Sequence, residues 1–184
     1  MEGMDQSYQR FLAGDESALV QIVRDYWDGL VLYLDGIVSD LTVAEDLAED
    51  TFLKLVLKRP RFSARSCFKT WLYSIGRNLA LDHLRRNKKA VVPLDACPEV
   101  VDEGWDLESR YIQQEERRVV HRAMKKLKPE YRQILWLMYF EGFTCAEVGT
   151  IMRKSSSNTR TLACRARQAL KMKLLEEGFE YENL

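Results

Sequence analysis

The sequence predicts an all-α protein of two small helical domains joined by an acidic linker. Three observations carry that prediction. The chain has 184 residues but only four Pro and nine Gly, which favours helices over a turn-rich β fold. Its apolar residues recur at steps of three and four over long stretches, the spacing of one helix face. Charge is also blocked: the net charge is zero, yet residues 1–50 hold 2 basic and 12 acidic side chains and residues 51–90 hold 11 and 1. Residues 91–111 then hold 1 and 6, residues 112–175 hold 14 and 5, and residues 176–184 hold four acids and no base. Two basic blocks on either side of an acidic spacer are the pattern of two polyanion-binding surfaces, against the bland alternative of solvated faces.

Composition narrows the classes further. Apolar residues make up 46%, enough for packed cores. No apolar run reaches the ~20 residues needed to cross a bilayer. The N-terminus lacks a basic-then-apolar leader pattern, so a cytosolic protein is expected. Cysteines at 67, 97, 145 and 164 form no Cys-x-x-Cys pair, and His83 and His121 are distant from one another. No zinc spacing results, and four reduced, mostly packed thiols are the simpler reading. No cofactor or metal is expected. Neither a carboxylate–histidine constellation nor a Gly-rich phosphate loop is present, so a hydrolase or nuclease has no residues to carry it.

Taken in order, residues 5–14 begin a first short helix. Asp15 is a plausible N-cap for a second, with Ala18, Leu19, Ile22, Val23, Tyr26, Leu30 and Leu34 as its apolar stripe to about Ile37. After a break at Ser39–Asp40, Thr42 is expected to cap a third helix. Its acids Glu45, Asp46, Glu49 and Asp50 suit a positive helix start, and Leu47, Phe52, Leu55 and Val56 supply its buried side. Pro60 stops it. A loop rich in arginine follows over 59–66, with Phe62 as its one aromatic. A long helix from about Ser66 to Lys88 then places Phe68, Trp71, Leu72, Ile75 and Leu79 on a burying stripe. Along its edge run Trp71, Ser74, Asn78, Asp82 and Arg85, and its end is the basic cluster from Arg85 to Lys89. Aromatic planes can stack on unpaired bases, amides can read base edges and the cluster can contact phosphates. Gly76, mid-helix, costs ~1 kcal/mol relative to Ala and implies close backbone packing.

The run from Phe68 to Arg86 resembles the promoter-melting, −10-reading segment of the sigma-70 family, in its short extracytoplasmic-function (ECF) branch. Some forty residues, 44–86, agree with that family in order, spacing and type. The resemblance implies that the segment Thr42–Leu55 grips the clamp helices of the β′ subunit of RNA polymerase core, with Asp46, Glu49, Asp50, Phe52 and Leu53 as contacts. It implies that Phe62, Arg65 and Lys69 help hold a base flipped from the melted strand. Trp71, Ser74, Arg77, Asn78, Arg85 and Arg86 complete the expected −10 surface. Stacking returns ~1–3 kcal/mol per base, against a few kcal/mol to unstack one, so a short bubble can be held by binding alone.

Residues 90–110 bring two prolines, a glycine and acids, and read as a linker. Larger sigma factors carry an extra helical domain here; its absence points to the ECF branch. From 111 a second domain begins, with Tyr111, Val119, Val120, Ala123, Met124 and Leu127 on one helix. Pro129 opens the next, where Tyr131, Ile134, Leu135, Leu137, Met138 and Tyr139 are expected to be buried nearly continuously. Glu141 to Phe143 turn the chain, and Thr144 with Glu147 forms a capping box on a short helix ending by Met152. Ser155 caps a last helix to about Glu177, with Leu162, Ala163, Ala166 and Leu170 facing inward. Short helix, tight turn and longer basic helix make a helix-turn-helix whose second helix enters a major groove by its N-terminal residues. Residues 123–171 resemble sigma region 4, which reads the −35 element, with Thr144, Ser156, Ser157, Asn158, Arg160, Thr161 and Arg165 as contacts. The family often has Gly and an apolar residue where Arg153 and Lys154 stand, valine where Thr159 stands and arginine where Leu162 stands.

The resemblance implies a non-enzymatic initiation factor: region 2 over 5–89, linker 90–110, region 4 over 111–177 and an acidic tail 178–184. Its partners would be RNA polymerase core and promoter DNA, with room for an anti-sigma factor. Two other readings compete. A stand-alone helix-turn-helix regulator would bind a palindrome tightly without polymerase. An adaptor that uses only its acidic helix would tolerate changes at Asn78, Arg160 or Arg165.

Overall fold

The centre of the N-terminal half is helix α2, Glu16–Val38. It packs against α1 (Glu2–Leu12), α3 (Leu41–Lys58) and α4 (Phe68–Ala90). These elements come from a computed structural model that describes residues 2–60, 67–90, 120 and 122–176. The chain divides into two units, Met1–Glu99 and Val100–Leu184.

Asp15 caps α2 as its residue type demands: its carboxylate accepts from the Ser17 N–H at 3.0 Å and the Ser17 hydroxyl at 2.6 Å. The Ser17 hydroxyl and then Arg10 hold the Asp15 carboxyl below its ordinary pKa. Ala18, Ile22, Tyr26, Leu30, Leu34 and Ile37 are buried as the periodicity predicts, whereas Leu19 and Val23 are half-buried. The stripe is wider than one face. Every residue from Leu30 to Asp35 is buried, because a helix covered on several sides by other helices has no solvent face to keep polar.

The start of α3 differs from the sequence expectation. Ser39 takes a left-handed conformation (φ 57°), and Asp40, not Thr42, accepts from the Val43 N–H at 3.1 Å. The helix therefore begins at Leu41 and its first turn holds no acid. Glu45, Asp46, Glu49 and Asp50 fall in later turns, beyond the reach of the helix-start charge. Leu47, Phe52 and Leu55 are buried, and Val56 is half-buried. At the far end Arg59 is left-handed (φ 41°) and α3 stops before Pro60.

Helix α4 packs on α2 and α3 by an arc broader than the expected stripe. Phe68, Leu72 and Leu79 are buried, but so are Tyr73, Ala80 and Arg77, while Trp71 and Ile75 are only half-buried. Gly76 explains the close approach: a Cβ there would meet Leu30 Cδ1 at 3.1 Å and Leu34 Cδ2 at 3.4 Å. Ring contacts fill the remaining space, with Tyr33 and Tyr73 centroids 5.4 Å apart.

In the second unit, Ala123, Met124 and Leu127 are buried as expected; Tyr111 and Val119 lie outside the described residues. Helix α5, Pro129–Leu135, has Pro in its first turn and continues into a π-helical turn, Trp136–Phe140. That wider turn was not foreseen. It shifts the side-chain register, and Tyr139, expected to be buried, is 56% exposed. Trp136 instead goes inward, stacks on Phe140 at 4.4 Å and donates its indole N–H to Glu141 Oε1 at 3.2 Å.

Helix α6, Cys145–Met152, opens on the predicted capping box. The Thr144 hydroxyl accepts from the Glu147 N–H at 3.4 Å, and the Thr144 N–H donates to the Glu147 carboxylate at 2.8 Å. Arg153 then turns left-handed (φ 54°), and the Asn158 N–H donates to Ser155 Oγ at 3.3 Å as helix α7, Ser156–Glu176, begins. Both α5 and α6 pack on α7. Ala163 and Ala166 are buried there, Leu162 and Leu170 half-buried, and Thr159 fully buried with its hydroxyl donating to the Ser155 carbonyl at 2.9 Å. A Cβ on Gly149 would stand 3.0 Å from the Lys154 carbonyl oxygen, so the turn closes directly on α6.

Two substitutions test this turn from opposite sides. Arg153→Gly removes a left-handed side chain and is expected to stabilise the helix-turn-helix by about 1 kcal/mol. Gly149→Val forces backbone apart and is expected to cost on the order of 1–3 kcal/mol. Denaturant unfolding of the full chain reads both.

Candidate nucleic-acid and polymerase interfaces

Three side-chain arrays stand out from the cores. The first is the outward edge of α4. Trp71, Ser74 and Asn78 are half-buried and Asp82, Arg85 and Arg86 exposed, because the opposite arc is spent on α2 and α3. Ser74 is tethered, its hydroxyl donating to the Thr70 carbonyl at 2.7 Å. Arg85 pairs with Asp82 at 3.0 Å, both side chains largely exposed. An exposed i,i+3 pair is worth at most about 1 kcal/mol, so a phosphate can take the guanidinium from Asp82 at small cost. Lys69 is half-buried, its ammonium 6.0 Å from the Tyr26 ring centroid and 5.9 Å from that of Tyr73.

Arg77 departs from its expected place on this edge. It is 9% exposed, and its charge acts on Tyr33, whose phenol burial pushes well above the ordinary range. Arg77 is thus buried among the helices and does not stand on the solvent-facing edge with Asp82, Arg85 and Arg86. Phe62 and Arg65 lie outside the described residues.

The second array is the outer face of α3. Asp46, Glu49 and Asp50 are exposed, and among them Leu53 and Leu57 are 54% and 74% exposed. These five recur at steps of three and four, so they form one acidic stripe with an apolar ridge. Phe52, expected on this surface, is 6% exposed and stacks on Trp27 at 6.1 Å. Leu57 was missed, although continuing the stripe one turn beyond Leu53 would have found it.

The third array is the first two turns of α7. Ser156, Ser157, Asn158, Arg160, Thr161 and Arg165 are all exposed. Thr144 is exposed as well, but its hydroxyl is engaged in the capping box, within 2.7 Å of Glu147 Oε2. Lys154 in the turn pairs with Glu130 at 3.2 Å, which ties the turn to the start of α5.

An exposed polar and basic helix behind a tight turn, on a unit separate from an acidic-faced helical unit, defines the class: an all-α DNA-binding protein with a second, protein-docking surface. Comparison with known proteins gives the family. The model of sigma-70 region 2 matches residues 22–90, and that of sigma-70 region 4 matches residues 117–170. The ECF RNA polymerase sigma factor SigC of Mycobacterium tuberculosis is 32% identical over 148 residues, spanning 80% of this chain and 76% of that protein. The ECF sigma factor SigW of Bacillus subtilis is 28% identical over 171 residues, 88% of this chain and 91% of that one. Among solved structures, the sigma factor RpoE bound to the anti-sigma factor NepR from Bartonella quintana superposes with a TM-score of 0.63. It is 21% identical and covers 84% of this chain and 94% of its own. CnrH in complex with the cytosolic domain of CnrY gives 0.62 at 20% identity, covering 95% of each chain. The chain belongs to the sigma-70 family of RNA polymerase sigma factors, in the ECF branch. It is a promoter-specific transcription initiation factor that binds RNA polymerase. The rival reading as a stand-alone regulator is not favoured, since region 2 is present beside the helix-turn-helix.

The adjacent residues Phe52 and Leu53 differ sharply in burial, and their substitutions differ in cost. Phe52→Ala is expected to cost about 3–5 kcal/mol of unfolding free energy, and Leu53→Ala less than about 0.5 kcal/mol. Thermal or urea unfolding distinguishes them.

Proposed function

We propose that the two units divide promoter recognition between them. Region 2 is assigned to residues 5–89, a linker to 90–110, region 4 to 111–177 and an acidic tail to 178–184. The acidic, leucine-ridged face of α3 (Asp46, Glu49, Asp50, Leu53 and Leu57) docks on the clamp helices of the β′ subunit. A basic coiled coil would meet complementary charge at its rim and leucines at its centre, the usual anatomy of such an interface. The α4 edge of Trp71, Ser74, Asn78, Arg85 and Arg86, with Lys69, Phe62 and Arg65, takes the separated −10 strand by stacking and phosphate contact. The first turns of α7 enter the −35 major groove, where Asn158 and Arg160 can make bidentate contacts to adenine and guanine edges.

The observation that carries this reading is the exposure pattern: Ser156, Ser157, Asn158, Arg160, Thr161 and Arg165 are all turned outward on α7. Meanwhile Thr159, Ala163 and Ala166 between them are buried. Such a division leaves one face of the helix to read and the other to hold. The protein performs no covalent chemistry in this scheme; the polymerase does. Among the described residues no helix is long and apolar enough to cross a membrane, and we place the protein in the cytoplasm with the polymerase. An anti-sigma factor, the kind of partner held by the Bartonella quintana relative, would act by covering one of these faces.

Run-off transcription with core polymerase over a random promoter library, with and without the protein, tests the proposal directly. New start sites sharing two spaced elements are expected; unchanged initiation sinks it. Arg160→Ala and Asn158→Ala are each expected to cost about 1–3 kcal/mol of discrimination at a single −35 position. Arg85→Ala is expected to weaken all promoters alike and to lower the salt slope of binding by about 0.9.

A further inference from the structure

The turn between α6 and α7 carries two cations, and the fold treats them differently. Lys154 is engaged: its side chain is 27% exposed and its ammonium pairs with Glu130 at 3.2 Å. Arg153, one residue before it, is exposed. Among the described residues its guanidinium meets no carboxylate, aromatic ring or hydrogen-bond acceptor. It also stands on left-handed backbone, φ 54° and ψ 48°, where an L side chain crowds the carbonyl that follows it. Two other helices end on left-handed residues with side chains, Ser39 and Arg59, so that conformation alone assigns no function. The Arg59 guanidinium has a use inside the fold, 5.0 Å above the Phe11 ring. For the Arg153 guanidinium the described residues offer no such use.

The backbone beneath Arg153 is held from several sides. Its N–H donates to the carbonyls of Gly149 and Thr150, and the Lys154 N–H donates to Gly149 at 2.9 Å. Beyond the turn, the Thr159 N–H and hydroxyl both donate to the Ser155 carbonyl, each at 2.9 Å. A side chain on backbone so fixed loses little further main-chain freedom when it meets a ligand. Ser156, the first residue of α7, lies three positions on, so its Cα is at most about 11 Å from that of Arg153. The major groove is about 12 Å wide, and phosphates wall it. With the first turns of α7 in the groove, an arginine this close to their leading end reaches the wall, and its planar fork matches a phosphate. We propose that Arg153 grips a backbone phosphate flanking the −35 element, adding affinity without reading a base. This rests on the reading above that α7 enters the −35 groove.

The test uses the full chain with core polymerase, on a promoter that the wild-type protein itself selects from the random library. Arg153→Gly relaxes the backbone and removes the charge; Arg153→Gln keeps a side chain there and removes the charge; Arg153→Lys keeps both. Affinity is measured from about 50 to 200 mM salt. Arg153→Gly and Arg153→Gln are each expected to bind more weakly, with a salt slope lower by about 0.9. Their deficit then shrinks about three- to fourfold across that range. Arg153→Lys is expected to restore the slope, and base preference at −35 to stay as in wild type, since a phosphate carries no base identity. Arg153→Gly is expected to be the most resistant to denaturant of the four proteins, which separates its lost affinity from lost structure. Promoters carrying one neutral methylphosphonate at a time around −35 locate the contact. At one position the substitution should weaken wild type and leave Arg153→Gly unaffected; elsewhere both should lose equally. The inference is overturned if Arg153→Gly binds as tightly as wild type with the same slope. It is equally overturned if its deficit is the same on every methylphosphonate promoter, the mark of a diffuse charge effect. Should Arg153→Gly prove less stable than wild type, Arg153→Gln decides. A wild-type protein that does not redirect polymerase overturns the promoter reading and this inference with it, a result seen before any variant is made.

Discussion

The rotation of α4 about its own axis is the constraint on which the first unit depends. Gly76 lets the α4 backbone close to within side-chain contact of Leu30 and Leu34 on α2. Thr51 Oγ1 on α3, which donates to its own helix at Leu47, lies at the same point. Once that contact is made, Leu72, Tyr73 and Ala80 must face inward and Ser74, Asn78, Asp82 and Arg85 must face outward. A side chain at residue 76 would turn or lift the rod and move every outward group on it. Close-packed cores respond to such a change by shifting as a whole, since there is no free volume to absorb it.

The second unit solves a similar problem by different means. Its reading helix is positioned at one end by backbone contact between Gly149 and the Lys154 carbonyl. Along its length, the small side chains Ala163 and Ala166 admit α5 and α6. Thr159 is the telling residue. Where the family often places valine, threonine has the same shape, and its hydroxyl is satisfied by the Ser155 carbonyl one turn back. The hydroxyl therefore costs little in a buried site, and the departure from the family pattern leaves the packing intact. Arg153 is the opposite case. The turn calls for a left-handed residue, for which glycine is best suited, yet an arginine occupies it. That choice adds a positive charge beside the reading helix at the expense of backbone comfort.

Charge is arranged to serve these surfaces, and the zero net charge conceals it. Acids concentrate on the outer face of α3, where exposed Leu53 and Leu57 accompany them. Bases concentrate at the end of α4 and along α7. An exposed leucine ridge inside an acidic stripe combines desolvation at its centre with steering at its rim. Like charge on that face repels a polyanion, whereas the basic ends of α4 and α7 attract one.

Much of this was written in local sequence. Helix caps at Asp15, Thr144 and Ser155 are set by residues within three positions, so their chemistry is visible without a fold. The helix-turn-helix and the polar edge of α4 follow from a period of 3.6 and were legible for that reason. Tertiary structure decided what periodicity cannot: how much of each helix circumference is covered. The sequence shows that Phe52, Tyr139 and Arg77 are large or charged. Only the neighbours determine that Phe52 lies against Trp27, that a π-helical turn carries Tyr139 out, and that Arg77 is enclosed near Tyr33. Contacts of Tyr8 with Pro60 and Phe68 belong to the same category. They join residues 52 and 60 positions apart, and no local pattern records a meeting that the fold alone arranges.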